Sequence, residues 1–442
     1  MAPCTIEDAS GFQGEADRVI APASEAELLE VIASACRERT PITIGGARTG
    51  LTGGCVPRGG WAVSLEKFRR LEICSGRAIA GTGVSLDSLQ GAATRIGQFY
   101  APDPTERTAS IGGTIATNAS GARSFRYGST RRHVLGLRVA LMDGRMLVLR
   151  RGDKVDFDVP ELPLPKTTKN TAGYSLAPGM EWIDLFIGSE GTLGIVTEAE
   201  LQLLPAPADV LAGIVFLISD DAALDVVDAW RRIPGLRMIE YFDANSLDFL
   251  RPHYSEIPAR AAAALLIEQE DGDIDFWVDH APEDSWFAAS DQDRERFRRF
   301  RHALPELVND TMRRRGFMKL GSDYAVPLSR NNEMLAEYHA TLRQHELEYV
   351  IFGHIGDAHV HVNILPRSPD EFEAGQRLML HFARHAVSLG GTVSAEHGLG
   401  KRKAHLLALQ YRPQQIESMK DVKRRLDPQW LLNPGNLFEP PA

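Results

Sequence analysis

Five glycines fall within the ten residues Gly45 to Gly54, GGARTGLTGG, directly after the β-branched run Ile42-Thr43-Ile44. Each glycine costs a fold backbone entropy, so a stretch this rich is tolerated where backbone N–H groups must come close to a ligand, often a phosphate. A second run, Ile111-Gly112-Gly113-Thr114-Ile115-Ala116-Thr117-Asn118-Ala119-Ser120-Gly121, follows Asp103-Pro104-Thr105. One such loop alone reads equally well as a tight turn. Two together predict a pair of loops that embrace an extended nucleotide cofactor from both sides. The Gly-Lys-Ser/Thr ending of a P-loop is missing and so is the GxGxxG of a Rossmann unit, so neither of those nucleotide folds is expected.

At 442 residues the chain has room for two or three domains, each with its own core. Its 59 acidic residues against 49 basic ones leave a net charge of -10, which argues against nucleic acid as a partner. The stretch MAPCTIEDASGFQGEADRVI has no basic segment leading into an apolar one, and no run reaches the ~20 apolar residues of a membrane span. That predicts a cytoplasmic protein, at most peripheral at a membrane. Cys4, Cys36, Cys55 and Cys74 form no CxxC pair, which predicts reduced thiols with neither an iron–sulfur centre nor a zinc knuckle.

Ser24 to Glu27, SEAE, reads as a capping box opening a helix with Leu28, Ile32, Ala35 and Cys36 on one face. Pro41 ends it, and Ile42 to Ile44 is a short strand. Leu137 to Met142 and Met146 to Leu149 are β-rich runs joined through Asp143-Gly144, a hairpin signal. The first 205 residues thus read as mixed α+β. Pro205-Ala206-Pro207-Ala208 reads as a boundary, because two prolines resist continuing either kind of element. Beyond it the order is strand (Leu211 to Ile218), helix (Asp221 to Arg232), strand (Met238 to Phe242), strand (Ala263 to Glu268), a basic helix and further strand–helix units. This predicts a second α+β domain on an antiparallel sheet. From about Gln414 a helix and the tail LDPQWLLNPGNLF follow.

Chemistry concentrates in GHIGDAHVHVN, residues 353 to 363, and GGTVSAEHGLGK, residues 390 to 401. In a strand HVHVN sends His359, His361 and Asn363 to one face and the valines to the other, and His354 lies at the turn before it, where Gly353 and Gly356 permit bends. A lone histidine in such a place is more often structural than a ligand. Three in eight residues, with a Glu-His pair set between glycines, predict His354, His361 and Glu396 as ligands of a divalent metal. Two imidazoles and a carboxylate leave positions open for substrate and suit Zn²⁺, with Mn²⁺ or Fe²⁺ as alternatives. His359 is a fourth ligand or an outer partner. His397, beside the last ligand, is a ready base.

These segments, together with PDPTERTASIGGTIATNASGARSFRYGS, DLFIGSEGTLGIVTEAELQLLP and LDPQWLLNPGNLF, resemble in order and over nearly the whole chain the FAD-linked oxidases of vanillyl-alcohol-oxidase fold. The resemblance is to the D-2-hydroxy-acid dehydrogenase branch, which holds D-lactate and D-2-hydroxyglutarate dehydrogenases and the glycolate oxidase flavin subunit. It implies an α+β architecture: a two-subdomain FAD-binding domain over 1–206, a substrate or cap domain over 207–412 with an antiparallel sheet and the metal site, and a segment over 413–442 that returns to the FAD domain. It implies that Gly45, Gly46, Ala47, Arg48, Thr49 and Gly50 hold the FAD pyrophosphate. Flavin contacts are implied from Thr105, Gly112, Gly113, Asn118, Tyr127, Glu190, Gly191 and Ile195, with Asn433 closing over the isoalloxazine. Relatives that bind FAD covalently use a His in or just after the first loop; none stands here, so FAD is expected to be dissociable.

The same resemblance supports a mechanism that follows from charge. A 2-hydroxy acid chelates the ion through its hydroxyl and a carboxylate oxygen, which acidifies the hydroxyl. His397 takes its proton while a hydride leaves C2 for flavin N5. Arg301 in FRRFRHAL matches the family's carboxylate-forking arginine, with Lys319 a weaker candidate and His359 nearby. Arg294, Arg296, Arg298 and Arg299 read as a solvated helix face. Pro305 stands where relatives that hold a five-carbon dicarboxylate have Thr, and the region from Asp271 to Asp293 is short for the family. The competing reading is a metal hydrolase on His354, His361 and Glu396, which leaves the glycine loops unexplained. The electron acceptor stays open among a quinone, a cytochrome, an electron-transfer flavoprotein and an iron–sulfur subunit, and a homodimer is compatible with the chain.

Overall fold

Residues 4–440 are described by the computed structural model. Near the N-terminus the helix Glu25–Glu38 starts at Ser24, whose hydroxyl accepts from the Glu27 N–H at 3.2 Å. Such a cap stabilises a helix by about 1 kcal/mol. The Glu27 carboxylate reaches back to the Ala23 N–H at 2.8 Å, one residue earlier than the reciprocal bond of a capping box. The helix buries Leu28, Ile32 and Ala35 against Ile42, Trp61 and Val63 of a parallel sheet ordered Arg18–Ile20, Trp61–Ser64, Ile42–Gly45. The strand foreseen at Ile42 is an edge of that sheet and ends on the first glycine of the loop. Residues from the C-terminal tail cover this edge: Ile42 N–H donates to Leu431 O at 2.8 Å, and Asn433 N–H to Ile42 O at 2.8 Å.

A five-stranded antiparallel sheet is ordered Met146–Arg150, Val134–Ala140, Ile195–Gln202, Arg77–Gly81, Leu71–Cys74. The Asp143-Gly144 turn joins its first two strands, as the dipeptide predicts, with Gly144 at φ 86°. Pro205 closes the short strand Leu204–Pro205, which pairs with Gln98–Phe99 in a two-residue edge ladder where the missing proline donor is not needed, and the next strand begins only at Val210.

The largest sheet has seven strands, all antiparallel: Trp286–Phe287, Val210–Leu217, Ala263–Glu270, Leu236–Asp243, Tyr349–His354, His359–Ile364, Leu320–Gly321. Its first strands and the helix Asp220–Trp230 lie within two residues of the sequence expectation. The long helix Asp291–Arg315 lays Phe297, Phe300, Leu304, Val308 and Met312 on one face, against Ile214, Phe216, Met238 and Phe242. Truncating a fully buried ring such as Phe300 to Ala would cost about 3–5 kcal/mol. Helices Asp220–Trp230, Asn331–Gln344 and Pro369–Ser388 share a second core with Ile239, Tyr241, Ile351, Val360, Val362 and Ile364. With the valines of HVHVN committed to that core, alternation sends His359 and His361 the other way. Among the described residues no helix is long and apolar enough to cross a membrane.

Candidate active site

The hairpin Tyr349–His354 and His359–Ile364 pairs His354 with His359 and Phe352 with His361. His354 is therefore the last residue of a strand, not part of the turn, which is the 3-10 segment Ile355–Asp357. Gly353 has φ 125°, and a Cβ on it would come within 2.9 Å of His361 Cδ2, so glycine is required for the rings to approach. Donor atoms of His354, His359, His361 and Glu396 all lie within 4.8 Å of one another. The structure thus joins the three predicted ligands and adds His359 to them. His397 stacks nearly parallel to His361, with ring centroids 5.6 Å apart.

Neighbouring groups orient these donors, and most of them were not foreseen. His354 Nδ1 is 2.6 Å from Glu240 Oε1, which turns Nε2 toward Glu396 Oε2 at 3.2 Å. His361 Nδ1 donates to Ser322 O at 3.1 Å, which frees Nε2. Glu396 Oε1 accepts from Lys169 Nζ at 2.6 Å and Ser120 Oγ at 2.8 Å, leaving Oε2 to the histidines. Asp323 binds the loop that presents Glu396 and His397, accepting from His397 N–H at 2.9 Å and Ser394 Oγ at 2.8 Å. Its Oδ1 is 3.2 Å from His359 Nε2 and 3.5 Å from His397 Nδ1. His359 is fully buried, yet neither ring nitrogen makes a well-angled hydrogen bond. With Nε2 facing Asp323, Nδ1 is left without a partner, and such an orphaned nitrogen in a polar cluster fits a metal ligand better than a packed side chain.

Burial strips the proton from His361, helped by the rings of His359 and His354, and holds it well below its usual value. Burial also lowers His397, with Asp323 pulling the other way, so a neutral imidazole stands beside the cluster. His354 differs: burial opposes its charge, but the Glu240 carboxylate outweighs it and pushes the imidazole up to about 9. An ion held here would stand in place of the Nε2 proton, with Nδ1 keeping its own proton for Glu240. Against the penalty of burial, Lys169 and then His354 hold Glu396 well below the usual carboxylate range.

Arg301 leaves the exposed face of its helix, as its neighbours do not. Arg294, Arg296 and Arg298 pair with surface carboxylates, whereas Arg301 is half-buried and places Nε 2.9 Å from Glu240 Oε2. Its Nη2 is 3.5 Å from Thr105 Oγ1. Lys319 is half-buried, has no carboxylate partner among the described residues, and is lowered by burial. It leads into the strand paired with Asn363.

The glycine loops meet. A Cβ on Gly46 would lie 2.2 Å from Ser110 Oγ, the cap of the short helix Ile111–Ala116 that carries Gly112 and Gly113. Gly188 N–H and Glu190 N–H donate to Ile115 O and Ala116 O, which docks the SEG segment on the same helix. Asn433 ties Ile44 N–H (2.7 Å) to Glu190 O and Gly191 O (3.1 Å each), so its amide is committed to backbone. Gly112 packs on Thr82, Tyr127 OH bonds to Glu270, Asn118 Oδ1 accepts from Arg131 N–H, and the Ile195 side chain lies in the core with Ala140 and Met142. These residues shape the cradle largely through their backbones. Thr105 is exposed, as are Ala47, Arg48 and Gly50, and among the described residues the N–H groups of Ala47 to Leu51 donate to no protein acceptor. Such a run of unspent donors after a strand fits the pyrophosphate of a dinucleotide.

Of the residues missed by sequence reasoning, Glu240 carried a signal, a carboxylate inside the apolar run LRMIEYF, whereas Lys169, Asp323 and Ser120 carried none.

Comparison with known proteins agrees with this geometry. Residues 16–150 match the FAD binding domain, and residues 206–437 the C-terminal domain of FAD linked oxidases. A D-lactate dehydrogenase of Archaeoglobus fulgidus is 30% identical, covering 95% of this chain and 90% of its own. Glycolate oxidase subunit GlcD of Bacillus subtilis is 30% identical over 97% and 90%, and a D-2-hydroxyglutarate dehydrogenase of Xanthomonas citri pv. viticola 31% over 95% and 88%. The solved alkyldihydroxyacetonephosphate synthase shares the fold, with TM-score 0.66 at 16% identity over 94% of this chain and 75% of that one. The chain belongs to the FAD-linked oxidases of vanillyl-alcohol-oxidase fold, in the branch of the D-2-hydroxy-acid dehydrogenases, and is a FAD-dependent oxidoreductase.

Proposed function

We propose that the protein oxidises a D-2-hydroxy acid to the 2-oxo acid with the aid of a divalent ion held by His354, His361, Glu396 and His359. The observation that carries this is the convergence of those four donors beside His397, a half-buried base whose pKa is lowered. When bound, non-covalent FAD supplies the hydride acceptor, and the ion, Zn²⁺ before Mn²⁺ or Fe²⁺, a Lewis acid for the hydroxyl and carboxylate oxygens. His397 accepts the hydroxyl proton as C2 gives up its hydride. Arg301, with Nε spent on Glu240, keeps its two Nη groups for the substrate carboxylate, and Lys319 adds a cation.

The relatives' names support the substrate class, and Pro305, which offers no hydroxyl, favours D-lactate or glycolate over D-2-hydroxyglutarate. We divide the chain into a FAD-binding part (1–206), a substrate part (207–412) and the returning segment 413–442, in a cytoplasmic enzyme that passes electrons to a separate acceptor. The hydrolase alternative is set aside, since the matched family is one of oxidases.

The test is anaerobic mixing of purified protein with D- and L-2-hydroxy acids while the flavin absorbance is followed. Bleaching by D-lactate or glycolate but not by the L-isomers of chiral acids is expected, and acid precipitation should release all flavin into the supernatant. A flavin that no 2-hydroxy acid bleaches overturns the reading.

A further inference from the structure

One carboxylate touches both halves of the proposed site. Glu240 sits mid-strand in Leu236–Asp243, 3% exposed, with Met238 and Phe242 in the apolar core. A buried carboxylate is costly unless its oxygens find donors. Glu240 Oε1 is 2.6 Å from His354 Nδ1, and Oε2 is 2.9 Å from Arg301 Nε.

Each bond does orienting work. The Nδ1 bond fixes the His354 tautomer and aims Nε2 at Glu396. The Nε bond sets the plane of the Arg301 guanidinium, because the five N–H donors share one rigid fork. Arg301 needs such an anchor. Pro305 lies inside the helix four residues on and cannot donate to the Arg301 carbonyl, so the helix ladder is interrupted at this residue.

Resting on the function proposed above, we infer that Glu240 is a positioning residue that couples the metal ligand His354 to the substrate arginine Arg301. The group that meets the hydroxyl end of the substrate and the group that meets its carboxylate are then held at one separation by one side chain on a rigid strand.

Glu240→Gln tests this. Its neutral amide oxygen can accept from only one of the two donors, and more weakly than a carboxylate does, while its NH₂ faces the other donor and repels it, so both contacts weaken. In metal-stripped, FAD-loaded protein the Zn²⁺ dissociation constant, read by chelator competition, should rise about 10–100-fold. With metal restored, KM for D-lactate should rise about tenfold, the loss of an oriented carboxylate contact. In an Arg301→Met background Glu240→Gln should raise KM no further yet still weaken Zn²⁺. A Glu240→Gln protein with full FAD content that keeps the parental KM or the parental Zn²⁺ affinity overturns the inference. Should that variant fail to fold, Arg301→Met alone decides. Freed of the guanidinium, Glu240 pulls harder on the His354 Nδ1 proton and Zn²⁺ should bind more tightly; unchanged or weaker binding overturns the coupling. A parent protein that binds no Zn²⁺ overturns the metal reading as well, whereas parent and variant that bind it equally overturn the coupling alone.

Discussion

Lys169 places its ammonium 2.6 Å from the Glu396 carboxylate, so a residue of the N-terminal half holds the carboxylate that the C-terminal half presents. The lysine is 3.2 Å from Asp357 as well, and the side chains of Lys169 and Asp357 are almost wholly excluded from solvent. Burial opposes its charge, but Glu396 and Asp357 hold its ammonium above the ordinary value. Removing one member of such a group leaves the others charged and unpaired. Lys169→Met should therefore destabilise the protein by about 3–5 kcal/mol in urea unfolding. A loss below about 1 kcal/mol would show that Glu396 and Asp357 do not depend on this lysine.

The division of labour between ion and base can be separated. Dialysis against a chelator should abolish turnover while FAD stays bound, and His361→Ala should behave alike. His397→Asn should keep metal and flavin but lose about 10²–10⁴-fold in the rate of flavin bleaching, the range for a general base. Parental bleaching by the His397 variant would place the base elsewhere.

Gly46→Ala tests the meeting of the loops. The new methyl would stand 2.2 Å from Ser110 Oγ, which accepts from Gly113 N–H at 3.2 Å. The serine must move and its cap, worth about 1 kcal/mol, is lost. FAD titration of the apoprotein should show at least about tenfold weaker binding, roughly 1.4 kcal/mol. Undiminished affinity would mean that the two loops do not form one cradle.

Away from the site, Asp243 is fully buried, accepts from Ser246 N–H, Ser246 Oγ and Ile351 N–H through Oδ1, and has no partner for Oδ2. Burial outweighs those bonds and pushes its carboxyl up to about 7 from 3.8. Because the folded value lies above the unfolded one, the stability it contributes is complete below about pH 4 and is lost as pH rises through 7. Asp243→Asn removes this dependence. Between pH 5 and pH 8 the parent should lose on the order of a few kcal/mol relative to the variant in denaturant unfolding. Parallel stability curves would refute the assignment.

Much of the fold was legible because its causes are local. Ser24 caps the helix it precedes, Asp143-Gly144 turns the hairpin it joins, and alternation in HVHVN separates histidines from valines without reference to any other strand. The grouping of His354, His361 and Glu396 was legible for the same reason, since glycine-flanked histidines and a Glu-His pair have few other uses. Pro205 is the last residue of a short edge ladder, where its missing donor is not needed. What the sequence by itself determined was where elements begin and which residues carry chemistry. Only the tertiary structure decided what balances that chemistry. Glu240 meets His354 across 114 positions and Lys169 meets Glu396 across 227. A buried charge is stabilised by whichever opposite charge the packing brings within about 3 Å, and no local pattern records that choice.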